Sequence, residues 1–188
     1  PHIYEAAKTS ITTNFFYRHT SGQMDFITIV EDGISYSQPA NLNNSQSYGV
    51  EIIGVSEFTP WWSVSGSVTG FGIRVDGSNL GEEFVNDGVA MNTKLTTDFK
   101  LPWSITLQLV YNYESPEIEA QGKDLAQYYM DASIQKSFFK KKGMLSVSMR
   151  DVFDTRQFGG VNQSNTFYQS FTRKRETQIV LVSARYNF

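Results

Sequence analysis

The sequence predicts an all-β fold, an antiparallel transmembrane β-barrel segment of about eight strands with short periplasmic turns and long extracellular loops. Three observations predict it. Hydrophobicity repeats every two residues along most of the chain, and no useful length repeats at helical spacing. The connections between the alternating runs are short and long by turns. Aromatic residues gather at the ends of the runs, where a membrane barrel carries its interfacial girdles.

The first two strands are the least regular, one near Ile11–Tyr17 and one running through roughly Ile34–Phe58. In the next, Trp62, Val64, Gly66 and Val68 oppose Ser63, Ser65, Ser67 and Thr69. Met91, Leu95, Phe99 and Leu101 then share a face opposite Asn92, Lys94, Thr96, Asp98 and Lys100. Trp103, Ile105, Leu107, Leu109, Tyr111 and Tyr113 alternate with Ser104, Thr106, Gln108, Asn112 and Glu114, with Val110 the exception on the polar face. Tyr128, Met130, Ala132, Ile134 and Phe138 alternate with Asp131, Ser133, Gln135 and Ser137. Leu145, Val147 and Met149 alternate with Ser146, Ser148 and Arg150, and Asp131 and Arg150 are expected to pair. The last strand sets Val180, Val182, Ala184, Tyr186 and Phe188 on one face.

Tight turns are expected around Thr59–Trp61, Leu101–Trp103 and Lys140–Gly143. Long polar loops are expected at roughly Thr20–Gly33, Asp76–Val89, Ser115–Gln127 and Asp154–Phe171. A soluble β-sandwich or small barrel also alternates, with its apolar face inward. Against it, the second face here is rich in Ser, Thr, Gln and Asn rather than Lys and Glu. The aromatics at run ends, such as Trp61, Trp62, Trp103, Tyr128, Phe138 and Phe139, argue the same way.

Composition narrows the chemistry. The 188 residues carry a net charge of −3, which offers no basis for nucleic-acid binding. No cysteine is present, which excludes disulfides, thiolate zinc sites and thiol catalysis. The two histidines, His2 and His19, lie far apart and near no nucleophile signal, so no enzyme, no metal and no cofactor is expected. Mean hydropathy is −0.33, and the longest apolar run near the C-terminus is Ile179–Val182, far short of a membrane helix. Glu82, Glu83 and Asp87 form an acidic group that reads as a solvated loop. Gly70–Gly72 and Gly159–Gly160 precede no helix, so they are not phosphate loops. In the long loops, Gln157, Phe167 and Tyr168 are the candidate ligand contacts, as amide and aromatic groups on a rigid scaffold. Arg173, Lys174 and Arg175 read equally well as contacts to lipopolysaccharide phosphates or as a solvated strand end.

Several stretches carry a family resemblance. They are Ser47–Glu51, Phe58–Val68, Thr96–Pro116, Tyr128–Phe158 and the closing strand through Val180, Val182, Ala184, Tyr186 and Phe188. The terminal pattern resembles the signature that the barrel-assembly machinery reads in outer-membrane proteins. The ordered series resembles the last third of a TonB-dependent receptor barrel of the Bacteroidota type. That resemblance implies an outer-membrane location in a Gram-negative bacterium, contact with lipid and lipopolysaccharide, and uptake of a scarce solute such as a siderophore, cobalamin or glycan. It also implies that residues 1–188 are a partial barrel. Upstream strands and a plug would lie outside them, and TonB would act through that plug. No signal peptide precedes Pro1, and a secreted protein needs one, so a fragment is expected. The alternatives are a complete eight-stranded outer-membrane barrel with a structural or adhesive role, and a soluble β-barrel binding module.

Overall fold

The computed structural model describes residues 2–6, 8–81, 84–140, 142–165 and 167–188, with residues 2–6 described by backbone alone. Glu82 and Glu83 of the acidic group lie outside these residues. The strands in chain order are β1 His2–Ala6, β2 Thr9–Ser21, β3 Met24–Glu31, β4 Ile34–Asn41, β5 Asn44–Thr59, β6 Trp62–Asp76, β7 Val85–Leu101 and β8 Ile105–Glu114. There follow β9 Ile118–Glu119, β10 Gly122–Asp124, β11 Gln127–Phe138, β12 Gly143–Arg150, β13 Phe158–Gln163, β14 Tyr168–Arg173 and β15 Ile179–Tyr186.

Nine of these form one antiparallel sheet in the order β1-β2-β5-β6-β7-β8-β11-β12-β15. The sheet is open: among the described residues no ladder joins β15 to β1 or β2. Eight of the nine strands are those expected, and β1 is added at the front. The stretch expected as a single strand over Ile34–Phe58 is two, β4 and β5, broken at Leu42–Asn43.

Register carries the alternation across the whole wall. One row runs Trp62, Phe99, Leu107, Ile134, Val147, Val182 from β6 to β15. The next row one residue away runs Lys100, Thr106, Gln135, Ser146, Ser183. A second pair of rows repeats the contrast: Thr97, Leu109, Ala132, Met149, Val180 against Asp98, Gln108, Ser133, Ser148, Leu181. Because the side-chain period is two, antiparallel pairing keeps each class on its own face. Val110 stands on the polar face between Thr96 and Asp131, where the alternation put it.

The apolar face has no protein over it. Val182 is 68% exposed and Ile134 46%. A contiguous apolar surface of this extent needs a non-aqueous cover. The polar face bonds to itself: Asn14 Nδ2 donates to Glu51 at 3.0 Å, Gln108 Nε2 donates to Asp98 at 2.8 Å, and the Ser146 and Ser183 hydroxyls meet at 2.7 Å. On the apolar face the exposed-edge indole of Trp62 finds the Thr97 hydroxyl at 2.9 Å, so its N–H enters no hydrocarbon unpaired.

The two ends of the sheet differ. At one end the strands turn tightly, through Pro60–Trp61, through 102–104 and between Phe138 and Gly143. Trp103 and Ser104, then Phe139 and Lys140, hold positive φ between 52° and 59° to make two of these reversals. A belt of rings lies here. Trp62 stacks on Phe99 at 6.2 Å and 9°, Phe139 meets Tyr186 edge-on at 6.3 Å, and Tyr186 meets Phe188 at 5.2 Å. At the other end three of the four expected long loops fold into strands of their own. The fourth is shorter than expected, since β6 ends at Asp76 and β7 begins at Val85.

Candidate functional site

The hairpin end is a structured layer. β3 and β4 pair through a two-residue turn at Asp32 and Gly33, whose φ values of 51° and 77° are those the mirror-image turns of hairpins require. β9, β10, β13 and β14 form a second sheet in the order β14-β13-β10-β9, joining the β8–β11 connection to the β12–β15 connection. Gly122 sits where β10 presses on β13. Its φ is +143°, and a Cβ there would strike the Val161 carbonyl.

The two loop sheets are joined by a clamp. The buried Gln121 side chain accepts the Thr28 N–H and donates to the Thr28 carbonyl, both at 2.7 Å. It thus gives the exposed edge of β3 the two bonds a neighbouring strand would give. Leu42, Val75 and Ala120 are buried together beneath, with Ile73 packed against them, so the closest-packed apolar cluster among the described residues lies in this layer.

Burial here perturbs carboxylates. Glu119 is pushed from 4.5 up to about 7, first by loss of water and then by Asp25, Asp124 and Glu117. Glu117 and Asp124 are raised for the same leading reason. No cation is among the groups that shift Glu119.

A tight knot ends β12. Asp151 is 1% exposed at φ 46°. Its carboxylate accepts the Thr155 and Arg156 amides at 2.9 and 3.0 Å and the Thr177 hydroxyl at 2.6 Å. Burial alone would raise its pKa; these bonds outweigh burial and hold it below the ordinary range. The expected Asp131–Arg150 pair does not form. Asp131 instead accepts the Asp151 amide at 2.8 Å, where the chain turns sharply at a positive φ of 46°. Lys174 to Asp154 at 2.7 Å is the ion pair found among the described residues.

Two polar cavities open on the polar face near this layer. One of about 430 Å³ is lined by Arg18, Gln23, Ser45, Phe71, Asn92 and Glu117 among others. The other, of about 340 Å³, is lined by Tyr129, Asp131, Arg150, Asp151, Arg156 and Glu176 among others. The candidate ligand contacts line neither. Gln157 is exposed at the base of the β13–β14 hairpin. Tyr168 is 69% exposed and pairs with Gln163 at its tip. Phe167 is half-buried in the tip turn, where its carbonyl accepts the Ser164 amide at 2.9 Å. Base and tip are five residues apart, about 17 Å along the strand, so the three do not converge.

Of the basic run, Lys174 is engaged by Asp154, while Arg173 and Arg175 line a small cavity with Phe158 and Phe171. The terminal pattern is laid out as expected: Val180, Val182, Ala184 and Tyr186 on the apolar face, and Phe188 edge-on against Tyr186 in the aromatic belt. The residue the sequence reading passed over is Arg156, beside Gln157. Its guanidinium carbon lies 4.3 Å from the Tyr129 ring centroid and 5.5 Å from that of Phe158.

An open antiparallel wall with one exposed apolar face, one polar face and one ring belt defines a membrane β-barrel protein. The chain matches the model of the outer membrane protein beta-barrel family over residues 2–186, and it belongs to that family. It is therefore a protein of the outer membrane of Gram-negative bacteria. No curated protein and no solved structure matches it.

Proposed function

We propose that this chain forms the C-terminal barrel wall of a TonB-dependent receptor that takes up a scarce solute of the siderophore, cobalamin or glycan class, without catalysis. The observation that carries this is the open edge on both sides of a nine-stranded wall whose polar face is lined with small hydroxyls. Unpaired strand edges cost several kcal/mol per group in hydrocarbon, so both edges call for further strands. A small closed barrel would fill its interior with tightly packed side chains. A polar face holding cavities of about 430 and 340 Å³ suits a wide lumen instead. In this reading the barrel-assembly machinery recognises Val180 through Phe188, the polar face meets a plug, and TonB acts through that plug.

Refolding tests it. The 188-residue chain alone is expected to give no compact heat-modifiable species in detergent. Cooperative folding to such a species would replace this reading with a self-closing small barrel.

A further inference from the structure

We propose that the cavity at the outer end of β11, β12 and β15 is a binding site for an oxyanion-bearing solute, a phosphate or carboxylate, held by Arg150 and Arg156. The inference rests on the uptake reading and adds the class of ligand.

Geometry leads. Arg150 and Arg156 both line the cavity of about 340 Å³. Neither is in an ion pair, since Lys174 with Asp154 is the pair formed among the described residues. The Nε of Arg156 is buried without a hydrogen-bond partner, while its guanidinium is held over Tyr129 at 4.3 Å. A buried donor left unpaired is costly, and a turn of the guanidinium toward an anion in the cavity would relieve it. The Tyr129 ring fixes the planar fork in advance, so less side-chain freedom is lost on binding.

The cavity also carries carboxylates, which lower its affinity for an anion without taking up either guanidinium. Asp131 accepts the Asp151 amide, and Asp151 accepts two amides and two hydroxyl contacts, so both spend their oxygens within the chain. Glu176 is exposed. Beyond Phe158 the positive charge continues: Arg175 stands 6.0 Å from the other ring contact of Arg156, and Arg173 shares its cavity. Guanidinium forks match phosphate and carboxylate oxygens two at a time, and stacked rings let them do so without an acidic partner.

The face decides between two sources of phosphate. Arg150 pairs with Ile179 in the same parity as Ser148 and Ser146, and Tyr129 and Asp131 share the parity of Ser133. The cavity therefore opens on the polar face, away from lipid, and a soluble anion reaches it more readily than a lipopolysaccharide headgroup.

Calorimetric titration of the intact protein in detergent free of lipopolysaccharide, at low salt, tests this with inorganic pyrophosphate as the probe. Saturable binding is expected in the wild type and in K142Q, a charge control in a tight turn. R150Q and R156Q should each weaken it at least about tenfold, as loss of a charge-assisted bond does. R150Q is the safeguard against misfolding, because Arg150 is exposed and its guanidinium has no ion-pair partner to lose among the described residues. No saturable binding, or unchanged binding in both variants, overturns the proposal. So does binding of lipopolysaccharide micelles that depends on both arginines when pyrophosphate binding does not. Failure of the refolding test leaves this titration untouched, so the two readings fall separately.

Discussion

Leu109 sits mid-wall between Thr97 and Ala132, and Ser148 between Ser133 and Leu181 on the other face. Only the first would carry a charge into hydrocarbon. Leu109→Arg is expected to cost roughly 2–4 kcal/mol of folding stability in lipid, and Ser148→Arg little, read by urea titration in vesicles. The reverse order would invert the faces. Gln121 makes a second test at this scale. Gln121→Leu leaves the Thr28 N–H and carbonyl unpaired, at about 1–3 kcal/mol each, so amide exchange over β3 should accelerate while β11 and β12 are unchanged. Glu119 gives the layer a pH dependence. Its pKa in the folded layer is raised, from 4.5 to about 7, so its contribution is fully present below about 4.5 and is lost as pH rises through about 7. With the intrinsic base-catalysed rate divided out, protection over β3 and β9 should therefore fall between those values, and Glu119→Gln should reduce the fall to the share of Glu117 and Asp124. Alternation alone assigned Val110, Ser146 and Val182 to their faces. It could not show that Arg156 lies over Tyr129, since the two are 27 positions apart and meet through the Asp151 turn.

At the scale of elements, eight strands of the wall were legible because each crosses a slab that is apolar on one side and polar on the other; β1, five residues long, was not. The outer hairpins were not, because they face water on more sides and their pattern is broken. Asp32–Gly33 between Met24–Glu31 and Ile34–Asn41 is nonetheless a hairpin signal of known mechanism, and it was there to read. Nothing local marks Gln121 as a substitute for a neighbouring strand, since its partner Thr28 is 93 residues away. The alternation of turn and hairpin also fixes an expected orientation. In a cysteine-free chain, a Cys at Lys142 should resist an impermeant reagent on intact cells and one at Gln163 should react. The opposite pattern would put the tight turns outside.

The whole molecule keeps little of its apolar surface for itself. Its buried cluster is Leu42, Val75 and Ala120 in the outer layer, while Val182, Ile134, Leu145 and Leu95 stand exposed along the wall. The bilayer takes the place of a protein core, which is why mean hydropathy is below zero in a membrane protein. Among the described residues the sheet order leaves both edges open, at β1 and at β15. Alternate residues of this wall meet lipid and water, and the rest of the molecule's behaviour follows from that. Spin labels placed one at a time at residues 144–149 and 180–183 in bilayers measure it. Labels at Leu145, Val147, Met149, Val180 and Val182 should collide with dissolved oxygen, and those at Met144, Ser146, Ser148, Leu181 and Ser183 with a water-soluble nickel complex. Absence of that two-residue alternation, or its opposite phase, would contradict the account.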